Sequence, residues 1–305
     1  MSAARRRVTT SVGSLDLGGV VMTASGTSGH GAELASFGAL DELAAVVVKS
    51  LSPDPWAGNP PPRLRPLEVG MINSVGLQGP GIESWAATDL PALKAHGATV
   101  VVSIWGRTIE EFARAGSMLA DMDVDAVEVN VSCPNLEDRS RMFAHSPSAT
   151  AEAVSAVGAS HPRWVKLSPN TFELVDVAAA AIEAGADALT LTNTVLGMVI
   201  DLDQRRPALG AGGGGLSGPA IHAVSVRAIF DCFAAHPATP IIGVGGIGSG
   251  ADAVEMIMAG ASAVQVGTAA LAEPRAPWRI QRELVRWMDQ HSISSIDDLR
   301  GVAHG

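Results

Sequence analysis

The chain has 305 residues, a formal net charge of −10 and two cysteines, which argues against a disulfide-stapled domain and against a basic nucleic-acid surface. Hydrophobic residues make up 47% and charged residues 17%, so a large buried core is expected, with disorder confined to the ends. The run Arg5-Arg6-Arg7 reads as a solvated tail. No stretch approaches the roughly 18 uninterrupted apolar residues of a membrane span, and there is no apolar signal core, so no membrane association and a cytosolic location are expected.

In chain order, residues 1–19 read as an N-terminal extension or hairpin. A first β-rich run, 20–24, ends in Ser25-Gly26-Thr27, and His30 follows in a loop that reads as surface. A second run, 45–50, ends in Lys49-Ser50 and opens into the Pro-rich stretch 52–64. The third run is 99–104, and the fourth, 126–131, holds Asn130 and precedes Cys133 and Pro134. The fifth, 164–167, carries Lys166, and the sixth, 188–192, is followed by Asn193 and the Gly-rich stretch 209–218. The seventh and eighth, 240–244 and 263–266, end in Gly245-Gly246 and Gly267-Thr268. Ala-rich amphipathic segments at 108–121, 148–159, 172–184, 219–235 and 250–259 alternate with the runs, and 273–305 reads as a C-terminal helical region.

Eight strand-helix units predict a parallel sheet. The segments "AGADALTLTN" and "AGASAVQVGT" repeat one pattern, a helix ending in Gly followed by a buried strand. Seven of the eight runs end in polar or small residues, which favours a single-domain α/β fold, a (β/α)₈ TIM barrel with those ends sharing one face, over an open doubly wound sheet. The two Pro- and Gly-rich stretches read as long loops, lids or site walls.

"GVGGIGSG" places Gly243, Gly245 and Gly248 in the spacing of a dinucleotide fingerprint, but no acidic residue stands about 20 positions later to hold a ribose. In a barrel the same glycines, with Gly267 and Thr268, suit a phosphate site after strands seven and eight. Lysine occurs only at 49, 94 and 166. Lys94 fits a helix face, whereas Lys49 and Lys166 end strands and point to the barrel mouth, where an ammonium can stabilise an anion. Asn73, Asn130, Asn135 and Asn193 lie at or beside strand ends, and their paired donors and acceptors suit an amide-rich heterocycle. Cys133 fits either an activated base or an inert loop thiol, and Cys232 fits a small buried hydrophobe.

The segments "VVVKSLSPDPWAGNPPPRL", "MINSVGLQGPG", "VNVSCPN", "VKLSPN", "LTNTVLGMVIDL", "GGGGLSGPAI", "PIIGVGGIGSG" and "ASAVQVGTA" run in order from about residue 20 to 272. Together they resemble the soluble class 1 dihydroorotate dehydrogenases, and most of all their 1B subgroup. The resemblance implies an FMN-binding barrel, in which dihydroorotate loses a proton from C5 to the cysteine of "SCPN", Cys133, and a hydride from C6 to the flavin. The membrane-associated class carries serine at that position and an added N-terminal segment. Asn73, Asn130, Asn135, Asn193 and Thr194, with the backbone at Gly76-Leu77, would then hold the pyrimidine, and Lys49 would lie between flavin and substrate. Ser25, Gly26, Lys49, Ser50, Asn130, Lys166 and Thr192 would contact the FMN ring system, with Lys166 stabilising its reduced form. Gly218, Gly245, Gly246, Gly267 and Thr268 would wrap the phosphate.

The polar, Arg-bearing loop at 136–147 resembles flavin barrels that act on uracil-like rings, although Asn135 favours dihydroorotate. A non-redox lyase or isomerase using Lys166 as a Schiff-base amine, and a non-catalytic binding barrel, are the alternatives from other classes. The 1B resemblance further implies a homodimer and, if NAD is the acceptor, a partner subunit carrying FAD and an iron–sulfur cluster, since two cysteines are too few to hold one.

Overall fold

The computed structural model describes residues 8–135 and 141–305. Arg5-Arg6-Arg7 and the centre of the polar loop after Asn135 lie outside them. Eight parallel strands form the central sheet: β1 (Val21–Thr23), β2 (Val46–Val47), β3 (Val100–Ile104), β4 (Ala126–Asn130), β5 (Arg163–Lys166), β6 (Ala188–Leu191), β7 (Ile241–Val244) and β8 (Ala263–Val266). They are neighbours in chain order, and β8 pairs with β1. The remaining seam, between β1 and β2, is closed by Ala44 N–H donating to Val21 O at 2.8 Å and Thr23 N–H donating to Ala45 O at 3.3 Å. There the Thr23 hydroxyl stands in for a ladder acceptor, taking the Val47 N–H at 2.8 Å. The sheet is thus a barrel without an open edge.

Two apolar layers follow from the period-2 alternation of the strands. Outward residues such as Val127, Val129 and Val165 pack against the helices in the main core, while inward Ala126, Trp164, Ala188, Ile242 and Ala263 fill the N-terminal end of the lumen. A hairpin of Thr10–Val12 and Leu15–Leu17 plugs that end with Val12 and Leu17. Each of these two side chains stabilises the plug by about 1.5–3 kcal/mol of apolar burial. Filling one end with carbon leaves the other end for polar groups.

The expectation of one helix after every strand is corrected at β1, which is followed only by single 3₁₀ turns at Glu33–Ser36 and Leu40–Glu42. The vacant flank is covered by the C-terminal helix Ala276–Gln290, which buries Ile280, Leu284 and Met288 along one face at i, i+4 spacing. Its Trp278 Nε1 donates to Ala39 O at 2.9 Å, and the ring lies where a Cβ at Gly38 would sit, 2.6 Å away. Helices Ile109–Leu119, Pro147–Ala156, Leu174–Glu183, His222–Ala235 and Gly250–Met258 match the expected segments to within a few residues, and two short helices, Ile82–Thr88 and Leu90–Ala95, lie between β2 and β3. Lys94 lies on the second of these and pairs with Asp123 and Asp125 at 3.1 and 3.3 Å. Cys232 is fully buried within His222–Ala235.

The Pro- and Gly-rich stretches are not plain loops. Leu64–Leu67 and Gly70–Asn73 form a hairpin that joins Gly214–Ser217 and Val195–Gly197 in one antiparallel sheet. Its register sets Gly215 opposite Asn73 and Ser217 opposite Met71, so two excursions far apart in sequence become one wall above the barrel mouth. Glycine is needed for this approach: a Cβ at Gly215 would lie 2.1 Å from the Thr194 hydroxyl, and one at Gly214 2.4 Å from Asn73 O. Among the described residues no helix is long and apolar enough to cross a membrane.

Candidate active site

The C-terminal strand ends and the antiparallel wall enclose a cavity of about 730 Å³, within the range of small-ligand and cofactor sites. Ser25, Gly26, Lys49, Ser50, Asn73, Gly76, Leu77, Asn130, Lys166, Thr192, Asn193 and Thr194 line it, as do Gly218, Gly245, Gly246, Gly267 and Thr268. The motifs dispersed along the sequence therefore converge on one face of the barrel.

A chain of side-chain hydrogen bonds crosses the mouth. Ser25 Oγ and Ser50 Oγ are 3.1 Å apart, Ser50 and Ser103 hydroxyls 2.9 Å apart, and Asn130 Nδ2 donates to Ser50 Oγ at 3.4 Å. Asn193 Nδ2 donates to Asn130 Oδ1 at 3.2 Å, which also accepts from Ser132 N–H at 3.1 Å. These contacts fix the amide orientations before any ligand arrives, an arrangement suited to reading the polar edge of a planar ring.

At the opposite end, β7 and β8 stop in glycines. Gly245 and Gly246 have φ of 127° and 77°, conformations L side chains rarely adopt, and a Cβ at Gly246 would lie 2.7–2.8 Å from His222. Past them, Ser249 and Asp252 form a reciprocal capping box that starts Gly250–Met258, with Asp252 Oδ2 also accepting from Gly248 N–H at 2.9 Å. The loop is thereby held with its backbone toward the cavity. Thr268 donates to Ser217 Oγ at 2.9 Å, tying this end to the wall.

Two cationic groups differ in setting. Lys166 is 6% exposed, its Nζ 3.6 Å from the fully buried carboxylate of Glu128. Lys49 is half-buried, and burial, then the charge of Arg63, draws its ammonium below the usual lysine range. His30 is also half-buried, which corrects the expectation of a surface histidine. Its carbonyl accepts from Trp85 Nε1 at 2.6 Å, and burial, then Lys49, holds its imidazole below the usual histidine range.

Cys133 is not brought to the cavity lining. It follows β4 on the mouth side, but its side chain is fully buried, with the thiol 2.9 Å from Gly106 O and 3.4 Å from Asn130 O. Burial pushes its thiol up to about 12, so in this conformation it is a poor base at neutral pH. The backbone of Asn135 pairs with Arg141 beside this site, while its side chain lies outside the described residues. Ser103, Met71, Ser217 and Met142 were not expected. Ser103 is legible as the one polar residue inside "VVVSI", but the others owe their place to the antiparallel wall or to the loop after β4.

The residues fit an FMN. Gly26 lines the cavity at φ 85° with nothing within 4 Å of where a Cβ would project, leaving the open flat surface a ring system needs. The glycine backbones at β7 and β8 suit a phosphate, and the buried Lys166 ammonium lines the same cavity.

The dihydroorotate dehydrogenase family model matches residues 7–288. Among curated relatives, the catalytic subunit of dihydroorotate dehydrogenase B (NAD(+)) of Alkaliphilus oremlandii is 42% identical over 299 residues, covering 97% of this chain and 99% of the relative. The proteins of the same name from Alkaliphilus metalliredigens and Geobacter sp. strain M21 are 44% and 45% identical, over 95% and 92% of this chain and 96% and 93% of theirs. With a match of this extent to a barrel whose mouth gathers the motif residues, the chain belongs to the dihydroorotate dehydrogenase family.

Proposed function

We propose that the chain oxidises dihydroorotate to orotate at an FMN held in the barrel mouth, a step of pyrimidine biosynthesis. One observation carries the reading: the residues matching the family's cofactor and substrate motifs, apart from Cys133 and Asn135, line one cavity. When bound, FMN supplies a two-electron acceptor for the hydride leaving C6. The protein's own residues do the rest. Gly218, Gly245, Gly246, Gly267 and Thr268 hold the phosphate, while Ser25, Gly26, Ser50, Lys166 and Thr192 hold the ring.

Asn73, Asn130, Asn135, Asn193 and Thr194, with the Gly76-Leu77 backbone, hydrogen-bond the pyrimidine and its carboxylate. Lys49, whose pKa is lowered by burial, faces that anion. Cys133 takes the C5 proton, so the substrate gives up one proton and one hydride and gains a double bond. For this the thiol has to leave the Gly106 carbonyl and reach the cavity. The same reading includes a homodimer, supported by the exposed apolar run Leu196, Met198, Ile200 and Leu202, and tested by light scattering. It also includes an FAD and iron–sulfur partner subunit, since the relatives named above are NAD(+) enzymes and this chain has two cysteines.

The test is an anaerobic visible spectrum before and after dihydroorotate. A flavin spectrum that bleaches supports the whole half-reaction. A yellow protein reduced by dihydrouracil and not by dihydroorotate moves the substrate to uracil-like rings. A colourless protein that takes up no FMN, and is trapped by borohydride with a carbonyl substrate, overturns the redox reading in favour of a Lys166 Schiff base.

A further inference from the structure

Glu128 is a carboxylate in the interior of a barrel, and none of the roles above uses it. It is 0% exposed, one residue pair below Asn130 on the inward face of β4, and the register sets it beside Trp164, while Lys166 stands beside Asn130. Its Oε2 accepts from Gln265 Nε2 at 2.8 Å, reaching across from β8, and its Oε1 faces Lys166 Nζ at 3.6 Å with no hydrogen-bond partner of its own. Gln265 is likewise 0% exposed. An apolar residue at 128 would extend the lumen packing already made by Ala126 and Trp164, whereas a carboxylate has to be desolvated to sit there. The group that offsets that desolvation is the Lys166 ammonium, one of the two lysines lining the cavity.

We infer that Glu128, oriented by Gln265, is a positioning residue that sets how much positive charge Lys166 presents to the cofactor. The inference rests on the reading that FMN occupies the cavity. A carboxylate at 3.6 Å offsets part of the ammonium's field in a low-dielectric site and holds the side chain on the floor of the mouth. A flavin gains negative charge on reduction, so the pair acts on its redox equilibrium: the more exposed the Lys166 charge, the more the reduced form is favoured. Gln265 restrains the carboxylate on the side away from Lys166, which keeps the two charges close but outside direct hydrogen-bonding distance.

The experiment measures the midpoint potential of bound FMN by anaerobic dye-linked titration, together with FMN affinity, in the wild-type protein, Glu128→Gln, Lys166→Met and the double variant. Glu128→Gln keeps the shape and a partner for Gln265 while removing the charge. It is expected to retain FMN and to shift the two-electron equilibrium toward the reduced form by about tenfold, roughly 30 mV. In the Lys166→Met background the same substitution is expected to leave the potential unmoved. An unshifted potential in Glu128→Gln, or an equal shift with and without Lys166, overturns the inference and leaves the oxidation chemistry standing. A wild-type protein that binds no FMN overturns the cofactor reading itself, and this inference with it. If Glu128→Gln does not fold, Gln265→Leu decides: it frees the carboxylate to close on Lys166, so the potential is expected to fall, and an unchanged value overturns the inference.

Discussion

The two ends of the mouth are made of different material. At β7 and β8 the surface is backbone, namely Gly245, Gly246 and Gly267, whose positions are set by strand ends and a capping box. After β4 the group proposed as the base is one side chain, Cys133, whose thiol is folded under the mouth against Gly106 O. Backbone sites are complete once the chain folds, because the fold fixes every atom that contacts the ligand. A side chain retains rotamer freedom and a proton that depends on its surroundings. The difference teaches that the end proposed for the cofactor is preorganised and the end proposed for the base is conditional, so cofactor binding and proton transfer are expected to be separable.

The sharpest way to break that comparison is Cys133→Ala. FMN content is expected to be unchanged while flavin reduction by dihydroorotate in anaerobic stopped flow slows by roughly 10²-fold or more, the usual worth of a general base. Reduction at the wild-type rate would remove Cys133 from the chemistry. Loss of flavin instead would show that the two ends are not separable.

The converse substitution is Gly246→Ala. The new Cβ meets His222 at 2.7–2.8 Å, including its backbone, at a residue whose φ is 77°. A strain of about 1–3 kcal/mol corresponds to FMN affinity weakened by roughly fivefold to 150-fold. Quenching of free FMN fluorescence on titration measures it. An affinity equal to that of the wild-type protein would mean that the glycine loop is not the phosphate cradle.

Legibility in the sequence divides along the same line. Strands that end in Lys49-Ser50, Asn130, Lys166 and Gly245-Gly246 announce themselves because parallel strands are continuous apolar runs, and a polar residue at the end of one stands out. The barrel and most of the mouth were readable for that reason. The antiparallel wall was not, because its pairing joins Gly70–Asn73 to Gly214–Ser217 across 142 positions from Asn73 to Gly215, and short glycine-rich strands carry no alternation to reveal register. The orientation of the Cys133 thiol was not readable either, since residue type does not specify a rotamer. Nor was the missing helix after β1, whose replacement arrives from the C-terminus. Glu128 hides inside an apolar run where only the lumen geometry gives it a partner.

A third test asks how conditional the base end is. Because burial raises the Cys133 thiol to about 12, the proton stays on in the free enzyme throughout the neutral range. Below that value the thiolate fraction grows tenfold per pH unit. The second-order rate of flavin reduction reports free-enzyme groups, so it is expected to rise tenfold per unit through pH 9 without levelling. A plateau near pH 8 would mean that the thiol already sits in a polar environment before substrate binds.

The smallest expected effect sharpens the comparison at Lys49, which stands between the two ends. Burial, then Arg63, lowers its pKa, so its charge is lost as pH rises, at a lower pH than for a free lysine. If Lys49 faces the substrate carboxylate, affinity for orotate, read from its perturbation of the flavin spectrum, is expected to weaken as pH climbs through that range. The change should be a few-fold, in keeping with about 1 kcal/mol for a partly exposed ion pair. Lys49→Met is expected to show the weaker affinity at every pH, with that dependence gone. Were the dependence to survive in Lys49→Met, the titrating group would be another one, and Lys49 would belong to the preformed cofactor end.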